Sequence, residues 1–159
     1  MAWIPPLLHT QRLCLYDRCP SADQSSFQEG VPFHLQELSG LPDNWTICLK
    51  ESDAPVGTAG FIRWERGQHI GEIGFILTSP HTGKGYMTEA LKAILNFGFT
   101  KMGLLRIEAK SLSDNMASLG VLNRIGMQKV RQIQGRLSSK GPLVALEQYA
   151  IGYGVPYAP

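Results

Sequence analysis

Charged residues are scarce in this chain, and their scarcity argues against some partners. Only 18% of its 159 residues are Asp, Glu, Lys or Arg, the net charge is +2, and no basic run exceeds two residues. A nucleic-acid-binding surface normally needs a clustered basic patch. The sequence therefore predicts no nucleic-acid partner.

Long apolar runs and paired cysteines are missing as well. No stretch is apolar for long enough to span a bilayer. The first ten residues carry two prolines and no basic segment, so they do not look like a signal peptide. The three cysteines, Cys14, Cys19 and Cys48, lack metal-ligand spacing. These features predict no membrane partner, no metal, and reduced thiols in a cytoplasmic protein.

The most informative stretch that is present covers residues 72–99, EIGFILTSPHTGKGYMTEALKAILNFGF. Residues 72–77 are apolar with β-branched content and predict a strand, which residues 78–80 end. A loop with two glycines, Gly83 and Gly85, follows. From Tyr86 onward, apolar residues recur at helical spacing, at Met87, Ala90, Leu91, Ile94, Leu95 and Gly98. The stretch predicts strand, loop and helix.

A glycine loop that enters a helix favours anion binding. The first N–H groups of a helix have no partner within it and lie at the positive end of its dipole. Glycines just before that end let a phosphate approach the backbone closely. Here the amides would be those of residues 83–88, and Lys84 would add a charge. The local pattern alone is equally consistent with a solvated turn.

The rest of the chain predicts a mixed sheet. Strands at 45–50, 56–64 and 72–77 with short turns predict an antiparallel meander. A strand at 104–110 after the helix predicts a parallel crossover, with apolar residues 105, 107 and 109 on a buried face. Further predictions are a first strand at 10–16, short helices at 22–29 and 33–38, a helix at 114–126 capped by Asn115 and Gly126, and closing strands at 127–134 and 143–151.

Four segments, in order along residues 10–151, resemble the GNAT superfamily of N-acetyltransferases, and most of all its branch that acetylates ribosomal-protein N-termini. They are the Thr-x-Arg-Leu-x-Leu opening, the Pro-Val-Gly-Thr-x-Gly-Phe run with its Glu-Ile-Gly-Phe strand, the Thr-Gly-Lys-Gly-Tyr-Met-Thr-Glu-Ala-Leu loop, and Asn-x-x-Ser followed by Val-Leu-x-x-x-Gly. The resemblance implies one α+β domain over residues 1–159. Its sheet would be mostly antiparallel with six or seven strands, helices on both faces and splayed central strands.

The resemblance also implies a site for acetyl-coenzyme A. The pantetheine arm would pair with a splayed strand, and amides near residues 75–77 would face the developing oxyanion. The implied cofactor-binding residues are Phe75, Ile76, Leu77, Thr78, Gly83, Lys84, Gly85, Tyr86, Met87, Thr88, Asn115 and Ser118. The loop pattern of the family is Gln/Arg-x-x-Gly-x-Gly/Ala. Gly83 and Gly85 match it, whereas Pro80 stands at its first position.

Acetyl transfer to an amine needs a base for the ammonium and an acid for the leaving thiolate. Glu72, beside the predicted splay, is the first candidate base, and the alternative is a surface carboxylate. Other candidates are Glu108, which more simply belongs to a solvated charge row, and the turn histidines His69 and His81. Ser118 is the first candidate acid, unless Asn115 and Ser118 are only a cap and its neighbour. Tyr86 and Tyr149 are the other candidate acids.

These residues predict an acetyl-coenzyme A-dependent N-acetyltransferase that acts on a primary amine of a protein N-terminus or a small amino compound. Two alternatives stay open. One is a repurposed, non-catalytic protein of the same fold that binds coenzyme A or a small metabolite, and the other is a nucleotide-binding module. The resemblance implies that residues 18–40 wall the acceptor site; because this region is short, the acceptor cleft could be open or could be completed by another subunit in a homodimer.

Overall fold

The structure, a computed structural model, describes residues 8–16, 44–77, 81–136 and 140–154. The helices predicted at 22–29 and 33–38 lie outside these residues, as do Cys19, Thr78 and Pro80. The strands are β1 Leu8–His9, β2 Leu13–Tyr16, β3 Asn44–Leu49, β4 Pro55–Glu65, β5 Ile70–Leu77, β6 Arg106–Leu112, β7 Gln128–Gly135 and β8 Val144–Gly152. The helices are α1 Tyr86–Thr100 and α2 Met116–Arg124.

The described strands form one eight-stranded sheet in the order β1-β2-β3-β4-β5-β6-β8-β7. Neighbouring strands are antiparallel except β5 and β6, which are parallel and are joined through α1. This order confirms the meander, the parallel crossover and the mostly antiparallel sheet. The count corrects the expected six or seven strands, because Leu8 and His9 pair with Leu15 and Cys14 as an additional short strand.

The first predicted strand starts later than residue 10, and a tight turn is the reason. The N–H of Thr10 donates to the carbonyl of Leu13 at 2.9 Å, and the N–H of Leu13 donates to Oγ1 of Thr10 at 3.0 Å. Residues 10–12 therefore form the link between β1 and β2. The side chain of Arg12 consequently leaves the sheet from a turn.

The strand predicted at 104–110 begins at Arg106, so the expected burial of Leu105 is wrong. The N–H of Leu105 donates to the carbonyl of His69 at 2.8 Å in the connection that precedes β6. Its side chain is 58% exposed, whereas Ile107 and Ala109 are fully buried as expected. Strand alternation applies only from residue 106 onward.

Helix α1 packs its apolar face on the sheet as its periodicity predicts. Its buried residues are Met87, Ala90, Leu91, Ile94, Leu95, Phe97 and Gly98. A Cβ added at Gly98 would lie 2.8 Å from Cζ of Phe61 and 3.0 Å from Cδ1 of Ile107, so only glycine permits this close approach. Helix α2 ends as predicted. The N–H of Gly126 donates to the main-chain carbonyl of Asn123, and the N–H of Met127 donates to the main-chain carbonyl of Leu122.

The two faces of the central sheet differ in polarity. Phe61, Ile73 and Ile107 belong to the hydrophobic core that includes α1. Side chains of adjacent strand residues point to opposite faces, so Glu72 and Glu108, which pair with each other, lie on the other face. The core thus lies on the helix side of β4, β5 and β6, and a row of charges lies on the opposite side.

The central strands separate part of the way along. Strand β5 pairs with β6 from Ile70 opposite Arg106 to Ile73 opposite Ala109, and no pair follows, although both strands continue. Because the strands are parallel, both carboxyl ends lie toward the same edge of the sheet. This confirms the splay, and it places the starts of α1 and α2 close after the diverging ends.

Candidate active site

The loop before α1 has the conformation that an anion site requires. Gly83 and Gly85 have φ values of 78° and 77°, in the left-handed region where a Cβ is unfavourable. Gly85 is the N-cap of α1 and supplies no side-chain hydrogen bond to the first turn. A Cβ at Gly83 would meet no described atom within 4 Å, so the described residues leave the loop open on that side. The first amides of α1 are therefore available to an external acceptor.

The other predicted residues of this loop differ in what they can offer. Lys84 is exposed and Tyr86 is half-buried. The side chain of Met87 belongs to the core, so only its main chain could contact a ligand. Oγ1 of Thr88 accepts a hydrogen bond from Nε of Arg124 at 3.3 Å. Nδ1 of His81 is buried without a hydrogen-bond partner among the described residues.

Arg12 also belongs to this site, and the sequence did not identify it as a site residue. Its side-chain Nε donates to Oε2 of Glu89 at 2.7 Å, and its main-chain N–H donates to Oε1 of Glu89 at 2.8 Å. Its Nη1 donates to the carbonyl of Lys84 at 3.0 Å, and its guanidinium lies 4.6 Å from the ring centre of Tyr86. The resemblance to Thr-x-Arg-Leu was the available signal, but it gave no reason to connect Arg12 with the loop.

At the diverging end of β5, one edge of the strand has no strand partner among the described residues. From Gly74 to Leu77 the strand pairs with β4 on one side, and no β6 partner faces it on the other. Phe75 and Ile76 are half-buried. An extended ligand could pair with this free edge as an added strand does.

The start of α2 lies just beyond the end of β6. Asn115 is the N-cap as predicted, and its Oδ1 accepts from the N–H of Ser118 at 3.2 Å. The cap bond uses the main chain of Ser118 and leaves its hydroxyl out. The two residues are therefore a cap and its partner, and both still have polar groups that could contact a ligand.

Glu72 is not a surface carboxylate, because it is only 5% exposed. Its Oε2 lies 3.1 Å from Nε of Arg63, and its Oε1 lies 3.4 Å from Nζ of Lys110. Both carboxylate oxygens thus face a cation. The second contact is longer than a strong charge-assisted hydrogen bond, so Oε1 is the less firmly held oxygen.

Glu108 belongs to a hydrogen-bonded ion network, which corrects the expected solvated row. Oε1 accepts from Arg106 at 2.9 Å, and Oε2 accepts from Gln148 at 3.1 Å and from Arg63 at 3.2 Å. Burial alone would raise the pKa of Glu108, but the bonds and charges of these partners outweigh it and hold the pKa below its ordinary value. Such a carboxylate is a weaker base than a free one.

The two remaining candidates among the described residues are His69, a possible base, and Tyr149, a possible acid. His69 precedes β5 and is exposed, so it lies at the amino end of the strand, about 23 Å of strand rise away from the loop after β5. It precedes Glu72 by only three residues, so its role as a candidate base stays a prediction. Tyr149 pairs with Ala109, level with the point of divergence, but its ring is part of the core.

Cys14 and Cys48 face each other across β2 and β3 as buried cysteines that are not joined by a disulfide. This confirms that both are interior residues. Among the described residues, no group of three or more His, Cys, Asp or Glu side chains could hold a metal ion. No helix in the same part of the chain is long and apolar enough to cross a membrane.

The fold and this site define a GNAT acetyltransferase domain. The family described as "Acetyltransferase (GNAT) domain" matches residues 15–128, and the chain belongs to this family. The p20 protein of Bacillus licheniformis, described as an uncharacterized N-acetyltransferase, is 33% identical over 114 residues, which are 72% of this chain and 64% of p20. A second relative, YnaD of Bacillus subtilis, is 34% identical over 55% of this chain.

Solved structures share the fold at low identity. The ribosomal-protein-S5-alanine acetyltransferase of Vibrio fischeri superposes with a TM-score of 0.71 at 17% identity, covering 97% of this chain and all of that one. Mycobacterium smegmatis RimJ, solved with CoA-disulfide, has a TM-score of 0.66 at 21% identity, covering 89% of this chain and 82% of RimJ. The matches to curated relatives span less of those proteins, 64% of p20 and 51% of YnaD.

Proposed function

We propose that the chain is an acetyl-coenzyme A-dependent N-acetyltransferase that acetylates a primary amine of a protein N-terminus or a small amino compound. One observation carries the proposal. The β5–β6 pairing stops after Ile73 and Ala109, beside the open glycine loop that enters α1. A ligand with a diphosphate and an extended amide-bearing arm fits this combination, and coenzyme A has both parts.

The residues that would hold the cofactor fall into three groups. The main-chain N–H groups of residues 83–88 would bind the diphosphate, with Lys84 as the nearby charge. Phe75, Ile76 and Leu77 would pair their free strand edge with the arm, and Thr78 follows them in sequence. The side chains of Asn115 and Ser118 would contact the arm from the start of α2. When bound, the cofactor supplies a thioester whose acetyl group an amine can attack.

Glu72 is the proposed general base. The ammonium of the acceptor must lose a proton before it can attack, and a water held by Glu72 could carry that proton to Oε1. The amides of residues 75–77 would stabilise negative charge on the acetyl oxygen. The hydroxyl of Ser118 is the proposed donor of a proton to the leaving thiolate.

Two of the solved neighbours support the acceptor and cofactor classes. The Vibrio fischeri neighbour is named for acetylation of a ribosomal-protein alanine, and RimJ was solved with a coenzyme A derivative. Both share this fold. Because the sequence identities are low, these names guide the choice of ligands to test.

A second candidate has its own observation. The carboxylate oxygens of Glu72 and Glu108 all have cationic or amide partners, so neither side chain is free. If both serve only the ion network, the chain is a non-catalytic member of the fold that binds coenzyme A or a small metabolite. Loss of amine acylation on removal of the Glu72 carboxylate distinguishes the first candidate from the second.

Calorimetric titration with acetyl-coenzyme A, with ATP as the control ligand, tests the cofactor site. We expect micromolar binding of acetyl-coenzyme A and none of ATP, followed by acetylation of one of a panel of N-terminal peptides and small amines. Binding without acetylation of any amine would favour the non-catalytic candidate. Equal binding of both ligands would favour a nucleotide-binding module.

We also infer a single cytoplasmic domain. The sheet is continuous from β1 to β8, and Cys14 and Cys48 are not joined by a disulfide although they face each other. The acceptor reaches the chain as a small molecule or peptide. A homodimer could supply part of the acceptor cleft, and size-exclusion chromatography with light scattering would test for it.

A further inference from the structure

Arg12 and Glu89 connect two distant parts of the chain beside the cofactor loop. Glu89 lies in the first turn of α1, 77 residues from Arg12, and receives two hydrogen bonds from it, one from the main chain and one from Nε. Oγ1 of Thr10 donates a third, to Oε1 at 2.7 Å. The β1–β2 turn is thereby fastened to the start of α1.

The same guanidinium also holds the loop itself. Nη1 of Arg12 donates to the carbonyl of Lys84 at 3.0 Å, while the guanidinium lies over the ring of Tyr86. Among the described atoms, a Cβ at Gly85 would meet Nη2 of Arg12 alone, at 3.4 Å. Arg12 therefore contacts Lys84 and Tyr86 and lies beside Gly85, which stands between them.

Through the peptide plane between Lys84 and Gly85, these contacts determine the direction of the Gly85 N–H. In a trans peptide the C=O and the following N–H point in opposite directions. A guanidinium that holds the carbonyl of Lys84 therefore turns the N–H of Gly85 away from itself. Gly85 has a left-handed backbone and would otherwise be among the least restricted residues of the loop.

We propose that Arg12 is a positioning residue of the cofactor loop, which fixes the Lys84–Gly85 peptide so that its N–H faces the diphosphate. This inference rests on the proposed function, because it assumes that coenzyme A binds at the loop. It assigns Arg12 a role through the loop backbone, not a contact with the cofactor. Glu89 and Thr10 hold the guanidinium in the orientation that this role requires.

The ion pair between Arg12 and Glu89 also places a negative charge, the carboxylate of Glu89, beside the cofactor loop. Burial alone would raise the pKa of Glu89, but hydrogen bonds from Thr10 and Arg12 outweigh it and hold the pKa below its ordinary value. Glu89 therefore remains ionised near a site that must accept phosphates. The guanidinium of Arg12 neutralises this negative charge. The test must therefore separate the effect of an unneutralised Glu89 carboxylate from the effect of a misoriented loop.

The experiment combines coenzyme A calorimetry with amide hydrogen exchange of the ligand-free protein. For Arg12→Ala we expect the Kd for coenzyme A to rise about tenfold to a hundredfold, as for loss of one hydrogen bond to a charged group. We also expect faster exchange at Glu89, whose N–H bonds to the carbonyl of Gly85 at 3.1 Å. Exchange in β7 and β8 should not change, which distinguishes loop disorder from general destabilisation.

Two further variants complete the test. Arg66 lies 4.1 Å over the ring of Trp64, as Arg12 lies over Tyr86, but in the turn before β5. Arg66→Ala should therefore leave both readouts unchanged. In Arg12→Ala/Glu89→Gln the unbalanced charge is gone, and we expect affinity to stay low because the loop is still unheld.

The outcomes separate this inference from the proposed function. Wild-type affinity and exchange in Arg12→Ala, or recovery of affinity in the double variant, would overturn the positioning role while leaving the cofactor assignment intact. Failure of the wild-type chain to bind coenzyme A would overturn the proposed function. The exchange measurement would then decide by itself whether Arg12 orders the loop.

Discussion

Arg63 reaches Glu72 because strand β4 carries one extra residue between the partners of Ile73 and Glu72. Phe61 pairs with Ile73 and Arg63 pairs with Glu72, so Ile62 is left over as a bulge. Phe61 and Arg63 would share a face in a regular strand, but the bulge turns Arg63 to the charged face. The proposed base thus owes its cationic partner to a local irregularity of the backbone.

Replacement of Glu72 by glutamine tests its proposed role as the base. Glutamine keeps the size and polarity of the side chain but cannot take the proton, so kcat should fall by about 10²-fold with little change in affinity for acetyl-coenzyme A. Glu65→Gln is the matched control, because Glu65 also pairs with Arg63, at 2.6 Å, but lies at the far end of β4. Steady-state kinetics and calorimetry give both quantities. Equal activity of the two variants would remove Glu72 from the chemistry.

Ser118 and Asn115 should respond differently to alanine substitution. The cap bond joins Oδ1 of Asn115 to the main chain of Ser118, so Ser118→Ala keeps it and Asn115→Ala loses it. Asn115→Ala should lower the free energy of unfolding by about 0.5–2 kcal/mol. If the Ser118 hydroxyl donates a proton, Ser118→Ala should keep the stability and lower kcat by about 10²-fold. Unchanged kcat in Ser118→Ala would leave the thiolate without this donor.

Local patterns were sufficient to predict the central unit of the fold. The buried face of α1 follows from the spacing of residues 87–98, and the cap of α2 follows from Asn115 and Gly126. The family resemblance added the splay, which the end of pairing at Ile73 confirms. The prediction extended the alternating strand pattern to Leu105, which is exposed instead of buried. It was wrong there because periodicity does not reveal where a strand begins.

The contacts that shape the site join residues that are far apart in the sequence or that meet through an irregularity of a strand. Arg12 and Glu89 are 77 residues apart, and nothing in either segment indicates that they meet. Arg63 faces Glu72 only because of a bulge, which changes the face of every later side chain in β4. Such relationships follow from tertiary packing and strand register, which the residue pattern of one chain does not specify.

A carboxylate in the glycine loop should prevent cofactor binding. In Gly83→Asp a negative charge would stand beside the amides that are proposed to bind the diphosphate, and no coenzyme A binding should be detectable by calorimetry. Gly103→Asp is the matched control, since Gly103 also has a positive φ, 70°, and open space around it, but follows the other end of α1. Both variants carry the same backbone strain. Equal affinity in both would contradict the loop assignment.

Acid should destabilise the protein partly through Glu108. Its pKa in the folded chain lies below the ordinary carboxyl value of 4.5, so its contribution is complete above that pH and is lost as the pH falls through the folded pKa. Glu108→Gln cannot titrate, so its free energy of unfolding should fall less steeply than that of the wild type between about pH 5 and pH 3. Urea unfolding at several pH values measures both slopes. Parallel slopes would assign the acid sensitivity to other groups.

Gly98 in α1 and Gly120 in α2 should respond to alanine substitution with stability changes of opposite sign. Alanine favours a helix interior over glycine by about 1 kcal/mol, which applies equally at both positions. At Gly98 the new Cβ would lie 2.8 Å from Cζ of Phe61 inside the core, and such overpacking costs about 1–3 kcal/mol. At Gly120 the only described atoms that it would meet belong to the exposed guanidinium of Arg124, at 3.2 Å from Nη1, and the end of this long side chain can shift by a few tenths of an ångström. Urea unfolding should therefore show Gly98→Ala to be less stable than the wild type and Gly120→Ala to be more stable. Stabilisation by both substitutions would mean that α1 does not approach β4 and β6 as closely as Gly98 indicates.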